Sequence, residues 1–411
     1  MNDQLVRDLC HDVESRQGEM VAFLEALVLA ESPSVVPESQ CPVQSLLARS
    51  LRDDGFRVRI IKGHGKSGGL LFAAPRQRSR SSAFQLLLGH TDTVWPLGTL
   101  ARMPMELENE TLKGPGVYDM KGGLVQLVFA LRSLRVLGVE LPVTPVALFN
   151  SDEETGSEES SLLIRRFARR ANRCYVLEPA LGLSGKLKTA RKGAGQFTIH
   201  IEGRSAHAGL DPTAGASAIL ELSYLIQALQ ALNDPERGIS VNVGQIDGGI
   251  RPNVVAPFSK AIVDVRVPTV ADGLRIEAAI HRLQPTIPGT RITVEGSMDV
   301  PPMEATPRNR QLWNAAREAG RRLGIELEEG VAGGVSDGNT ASQYTATLDG
   351  LGAVGDGAHA VHEFLDCRRM IERCVLAALL LTLPPLPGAS SMTEGAVDSE
   401  GRGEYFQVSA R

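Results

Sequence analysis

Aromatic residues supply only 4% of the 411 residues, two of them tryptophan, and the five cysteines, Cys10, Cys41, Cys174, Cys367 and Cys374, include no C-x-x-C pair. An odd number of cysteines with no such pair suggests neither a disulfide framework nor a thiolate zinc site. No apolar run reaches the roughly 20 residues of a membrane span. Met1 to Glu19 interleaves charged and apolar residues, so it reads as an ordinary helix and lacks the unbroken apolar core of a secretory leader. The expectation is a cytoplasmic protein with no membrane partner. An excess of one charge is missing too, since 43 basic and 48 acidic residues give a net charge of -5. That leaves no electrostatic footprint for nucleic acid, and the basic run Lys186 to Lys192 reads as a solvated connection.

What the chain does have is length and a changing texture. Its 411 residues exceed one ordinary core and suggest roughly two to three domains. Apolar runs ending at Leu88, Phe149 and Leu177 alternate with helical segments, the pattern of a mainly parallel sheet covered on both faces by helices. In Met120 to Leu137, Leu124, Leu127, Val128, Leu131 and Leu134 recur at steps of three and four on one helical face. From about Gly193 the period changes to two at Phe197, Ile199 and Ile201. A helix follows through Ile219, Leu222, Leu225, Ile226 and Leu229, then an alternating strand from Lys260 to Val267. A strand, helix, strand, helix, strand series ending near Val294 describes a small α+β sandwich. The helix around Trp313 to Leu323 restores the first texture. The expected organisation is an α/β domain over 1–190 and 304–386, an inserted α+β domain over 191–303, and a mobile tail over 387–411, rich in Ser, Gly and acids.

The chemistry concentrates at strand ends. Asn150-Ser151-Asp152-Glu153-Glu154-Thr155-Gly156-Ser157 follows the apolar run Val143 to Phe149, and the C-terminal ends of strands are where open α/β sheets place ligands. Acids after a strand are commonly a solvated loop, and Glu158 and Glu159 read that way. The neighbouring segments raise the signal, because Phe84 to Leu88 ends in Gly89-His90-Thr91-Asp92, Gly114 to Asp119 precedes the helix, and Cys174 to Leu177 runs into Glu178. A dinuclear metal site needs a carboxylate bridging two cations, terminal imidazole and carboxylate ligands, and a water. His90 and His359 are the imidazole candidates, Asp119 the bridge, and Glu154 and Glu178 the terminal carboxylates. Asp92, two residues after His90, can accept the other ring N–H and fix its tautomer. Glu153 is left free as a base. Gly63 to Gly68 fits a dinucleotide fingerprint by letter, but no helix can follow it, so it reads as a turn between strands.

The motifs HTDTVWPLG from His90, GPGVYDMKGG from Gly114, NSDEETGS from Asn150, LEP from Leu177, GRSAHAG from Gly203, GGVSDGN from Gly333 and GAHAVHE from Gly357 together resemble the metallopeptidase family of glutamate carboxypeptidase, acetylornithine deacetylase and succinyl-diaminopimelate desuccinylase. The resemblance spans roughly Gly89 to Asp366. It implies a zinc-peptidase-like catalytic domain carrying an inserted lid or dimerisation domain. It implies two Zn2+ per subunit, with Co2+ or Mn2+ as possible substitutes: His90, Asp119 and Glu178 on one, Asp119, Glu154 and His359 on the other. Glu153 matches the family's general base and Asp92 its histidine-orienting residue, and the Asp119–Met120 peptide bond would be cis. Both His359 and His362 lie in GAHAVHE; the family's ligand stands four residues before a Glu, which selects His359 through Glu363.

By the same resemblance His207 reaches from one subunit of a homodimer into the other's active site and donates to the developing oxyanion. Asn253 and Arg266 match residues that bind the substrate's free carboxylate; on its own, Arg266 on the polar face of a strand is equally a solvated or salt-bridged residue. The backbone of Gly333, Gly334 and Ser336 offers further donors. The implied activity is hydrolysis of an amide next to a free carboxylate in a small peptide or N-acyl amino acid, closest in wording to the glutamate carboxypeptidase branch. The alternatives are a deacylase of small N-acyl amino acids and a catalytically silent metal-binding protein.

Overall fold

In the computed structural model, residues 3–77 and 83–387 are described. They form two compact units: the chain up to Thr189 with Ala305–Ala332 and the segment from Ser336, and a second unit of Ala190–Glu304 with Gly333–Val335. In chain order the first unit contributes helices α1 (Asp3–Ser15), α2 (Gln17–Leu29) and α3 (Gln40–Asp53), strands β1 (Phe56–Ile61), β2 (Leu70–Pro75), β3 (Phe84–His90), β4 (Glu106–Glu108) and β5 (Thr111–Lys113), then α4 (Gly122–Val136), β6 (Thr144–Asn150), α5 (Ser161–Ala168) and β7 (Arg173–Val176). Strand β8 (Leu187–Arg191) leads into the second unit, which holds β9 (Gly193–Glu202), α6 (Ala218–Gln230), β10 (Ser240–Gly248), β11 (Phe258–Val267), α7 (Val270–His281) and β12 (Arg291–Val300). The rest is α8 (Pro307–Arg322), β13 (Glu329–Ala332), α9 (Asp337–Ser342), β14 (Thr347–Leu348), β15 (Gly355–Asp356), β16 (Phe364–Asp366) and α10 (Cys367–Leu381). Of the tail expected over 387–411, residues 388–411 lie outside the described residues.

The first unit is α/β around a six-stranded sheet ordered β1-β2-β6-β3-β7-β14. Strands β6, β3, β7 and β14 are parallel and only β2 runs against the rest. The two-residue period sorts each central strand between two cores. Leu71, Ala73, Leu87, Ala147, Phe149 and Tyr175 join the larger core with α1–α4, α8 and α10. Leu70, Leu86, Leu88, Val146, Leu148, Cys174 and Val176 join the smaller one with α5 and α9. Covered on both faces, β3 is buried at every position, which is why its sequence reads as an unbroken apolar run and not an alternation.

Helix α4 departs from the one-sided expectation. Val125, Phe129 and Ala130 are buried along with the predicted stripe, because α1, α2 and α10 pack on the face turned from the sheet. Its start needs glycine, since a Cβ at Gly123 would stand 2.2 Å from the Leu177 carbonyl oxygen. This close approach sets the first turn of α4 against the end of β7. The Gly63 to Gly68 stretch is a turn joining antiparallel β1 and β2. Glu159, read as solvated, instead anchors that turn: its carboxylate accepts the His64 and Lys66 N–H groups and the Ser67 hydroxyl. Glu158 is exposed and pairs with Lys66 at 2.6 Å.

The second unit is a four-stranded antiparallel sheet ordered β10-β11-β9-β12 with one face against α6 and α7. Phe197, Ile199 and Ile201 of β9 and Val263, Val265 and Val267 of β11 meet Leu222, Leu225, Leu229, Ile276 and Ile280 of the helices. The three-strand series expected from the sequence missed β10, where the register shifts between Val243 and Gln245 and breaks the alternation at Gly244. No helix among the described residues is long and apolar enough to cross a membrane.

Candidate metal centre

Three parallel strands bring the acidic and imidazole residues together. His90, last in β3, is in register with Asn150, last in β6, and Leu88 is in register with Val176, last in β7. The chain leaving β6 therefore carries Glu153 and Glu154, and the chain leaving β7 carries Glu178, at the edge where β3 delivers His90. Asp119 arrives from the turn Val117–Lys121 ahead of α4, entered through Gly116 in left-handed geometry (φ 75°). The Asp119–Met120 peptide bond is cis.

The side chains form a connected array. His90 Nε2 lies 3.4 Å from Asp119 Oδ1, 3.4 Å from Glu178 Oε1 and 4.0 Å from Glu153 Oε2. The other Asp119 oxygen, Oδ2, lies 3.5 Å from His359 Nε2, which is 3.1 Å from Glu154 Oε2. Asp119 thus turns one oxygen toward each imidazole. Both candidate histidines are exposed, and His359 is the one that joins the array. Ligand atoms of His90, Asp119 and Glu154 fall within 4.8 Å of one another, and so do those of His90, Glu153 and Glu178.

The other ring nitrogen of His90 is held by Asp92, mostly through its main chain. Nδ1 is 3.0 Å from the Asp92 carbonyl oxygen and 3.4 Å from carboxylate Oδ1. The carboxylate's Oδ2 accepts the Ser34 hydroxyl at 2.7 Å and the Glu154 N–H at 3.2 Å. Asp92 therefore fixes the backbone of the Glu153–Glu154 turn as well as the His90 ring, a link between two candidate ligand segments that two-residue spacing did not reveal.

The electrostatics call for cations. Burial alone would lower the His90 pKa, but the nearby carboxylates of Asp119, Asp92 and Glu178 raise it well above the usual imidazole range. Contacts with Asp119 and Glu154 push His359 up to about 10. Burial works to raise Asp119, yet His359 and His90 hold its carboxyl well below the usual range. Burial first, then the neighbouring Glu178, pushes Glu153 well up. Glu153, pushed towards its neutral form by burial and its acidic neighbours, marks a surplus of carboxylates around two imidazoles, which positive charge at the centre would relieve. His90 Nε2 is buried without a hydrogen-bond partner, as expected of a nitrogen whose lone pair is meant for an ion. The oxygen and imidazole donor set, free of sulfur, suits Zn, Co or Mn.

Two further acids, to which the sequence assigns no role, support the array. Asp337, inside the GGVSDGN motif but given no role, accepts the Ser157 hydroxyl at 2.6 Å and the Asn150 side-chain amide at 2.9 Å. It braces the loop holding Glu153 and Glu154, and burial pushes its pKa up to about 7. Glu363, used only as a spacing marker for His359, is fully buried. In both cases the sequence offers only an acid inside a motif; its burial belongs to the fold.

The remaining candidates lie in or next to the second unit. His207 is exposed, and its Nδ1 accepts the N–H groups of Gly209 and Leu210, both at 3.2 Å, which puts the proton of the neutral ring on Nε2. Asn253 is exposed, its carbonyl accepting the Ala208 N–H. Arg266 makes a two-point pair with Asp264, both contacts at 3.0 Å. Gly334 is held through its carbonyl by the Arg191 guanidinium at 3.1 Å. Ser336 caps α9: its hydroxyl bonds Asp349 and accepts the Gly338 N–H, and its own N–H bonds Asn339, so its donors are engaged internally.

Residues 86–382 match the model of peptidase family M20/M25/M40. Carboxypeptidase G2 of Pseudomonas sp. strain RS-16 is 29% identical over 378 residues, covering 89% of each chain. A succinyl-diaminopimelate desuccinylase of Magnetococcus marinus is 26% identical over 398 residues, covering 86% of this chain and 97% of that one. Among solved structures, the aminopeptidase PepT from Bacillus cereus superposes with a TM-score of 0.75 at 19% identity, over 89% of this chain and 98% of its own, a likeness of fold. With the family's model running through most of both cores and every strand end that carries the centre, the chain belongs to peptidase family M20/M25/M40, a family of hydrolases.

Proposed function

We propose that the protein is a two-metal amidohydrolase that cleaves an amide bond next to a free carboxylate, releasing a C-terminal amino acid. The observation carrying this reading is Asp119, whose two oxygens face two different imidazoles, as a bridging carboxylate requires. His90, Asp119 and Glu178 would hold one ion and Asp119, Glu154 and His359 the other. Two zinc ions, or cobalt or manganese in their place, supply Lewis acidity toward the scissile carbonyl and acidify a water. Glu153 takes the proton of the attacking water and delivers it to the leaving amine as the C–N bond breaks. Asp92 keeps His90 in one tautomer. The first unit serves as the catalytic domain and the second as a lid and dimerisation domain in a homodimer.

Arg266 and Asn253 take the substrate carboxylate. The Asp264 pair holds the Arg266 fork in a fixed plane, suited to two-point recognition. With the Ser336 donors engaged in the α9 cap, Gly334 is the backbone group of that loop offered to substrate. His207, with its proton on Nε2, donates to the oxyanion of the partner subunit's site. Mixing inactive Glu153→Ala and inactive His207→Ala subunits is then expected to restore part of the activity, because one hybrid site regains both groups. Verified mixed dimers that stay inactive would place His207 outside the reaction.

The match to carboxypeptidase G2 favours the C-terminal exopeptidase reading, and the match to the desuccinylase favours deacylation of small N-acyl amino acids as the second. Both are tested by incubating zinc-loaded protein and a chelated control with dipeptides, C-terminal glutamate included, and with acetyl and succinyl amino acids. The expected result is metal-dependent release of the C-terminal amino acid from peptides. Turnover confined to acetyl or succinyl substrates would establish the deacylase instead, and silence across the panel would overturn both.

A further inference from the structure

Glu363 lies four residues after His359 and shows no exposed surface. One carboxylate oxygen, Oε2, accepts the Gly116 N–H and the Trp95 indole N–H, both at 2.8 Å. The other, Oε1, accepts the N–H groups of Tyr118 and Asp119, both at 3.0 Å. Its own main chain bonds in both directions, the N–H to the Ala360 carbonyl at 3.0 Å and the carbonyl to the Gly114 N–H at 3.2 Å. The next strand, β16, pairs with β5, which leads into the Gly114 to Asp119 turn. A single buried side chain thus ties together the loop after His90 through Trp95, the turn that presents Asp119, and the loop that presents His359.

All four contacts are N–H groups donating to Glu363, so both of its oxygens act only as acceptors. An amide would turn an NH2 toward two of those donors and break the arrangement. An ordinary structural acid needs no such convergence, and the bonded groups include the N–H of Asp119 itself. We infer that Glu363 is a positioning residue that sets the separation of Asp119 from His359, and through it the affinity of the ion those two side chains and Glu154 would share. This inference rests on the two-metal reading.

The test measures zinc binding by the full-length protein, by competition with a chelator of known affinity and by metal analysis, alongside melting of the metal-free protein. Wild type is expected to bind two zinc ions per subunit. Glu363→Gln binds the ion of Asp119, Glu154 and His359 about 10- to 100-fold more weakly, the range typical of a lost partner behind a metal ligand, and weakens the other ion, which shares Asp119, less. It lowers kcat while leaving KM within about twofold, and Glu363→Asp, which restores the charge, recovers part of the lost affinity. Trp95→Phe removes one donor from the same carboxylate and is expected to weaken the same ion by about 10-fold, the low end of that range; it decides the matter if Glu363→Gln does not fold. A lower melting temperature with both zinc affinities unchanged would overturn the positioning role and leave the two-metal reading intact. Wild-type protein binding fewer than two zinc ions would overturn the two-metal reading itself, and this inference with it.

Discussion

Glu153→Ala is expected to purify with the metal content of wild type and to hydrolyse substrate about 10²- to 10⁴-fold more slowly, the range that a positioned general base contributes. The neighbouring Glu154→Ala should instead lose metal. The two glutamates are adjacent in the chain, yet their surroundings differ. Glu154 meets His359 at 3.1 Å, and its N–H is pinned by Asp92. Glu153 stands off at 4.0 Å from His90 Nε2, while Asp119 and Glu178 approach to 3.4 Å. A group at that remove has room for a water between itself and an ion. Without ions, burial and Glu178 push its pKa up. Its oxygens also fall within ligand distance of His90 and Glu178, so the opposite assignment is physically concrete. Metal analysis beside single-turnover kinetics separates them: Glu153→Ala protein that comes out metal-poor makes Glu153 a ligand and leaves the base to be found elsewhere.

Much of this was readable in the chain because it depended on local order. The apolar runs Phe84 to Leu88 and Val143 to Phe149 are strands buried on both faces, and the residues after neighbouring parallel strands all emerge at one edge, which makes the grouping of His90, Glu153, Glu154 and Glu178 legible in the sequence. The resemblance then selected His359 over His362, and the geometry brings His359 to Asp119 and Glu154. The features that stayed hidden depended on contacts between segments distant in sequence. Glu159 looks like a solvated acid until the β1–β2 turn closes over it. The second face of α4 is buried by helices from both ends of the chain, which no window along α4 can report. Strand β10 is interrupted at Gly244, where its register shifts against β11. Glu363 served as a spacing marker, although its carboxylate gathers donors from residues 244 to 268 positions away. Local period finds elements and their ends; long-range hydrogen bonds need the folded chain.

Asp119→Ala is expected to abolish measurable hydrolysis and to weaken both metal ions at once, by more than the roughly 10- to 100-fold typical of losing a partner behind a ligand. His359→Ala or Glu154→Ala should weaken one ion and spare the other, and Glu178→Ala should do the reverse. The difference comes from geometry: His90 is reached by Oδ1 of Asp119 and His359 by Oδ2, so Asp119 stands within 3.5 Å of both imidazoles. The Asp119→Ala protein should still fold, because the turn is held by its main chain through Glu363, and the N–H that Asp119 contributes survives the substitution. Circular dichroism like that of wild type, with zinc uptake reduced at both positions, is the expected outcome. Should Asp119→Ala lose only one ion while the other binds with wild-type affinity, the carboxylate is a terminal ligand and the two-metal centre would have to be built around a different bridge, for which Glu154, 3.1 Å from His359 Nε2 and within 4.8 Å of the His90 ligand atom, is the next candidate.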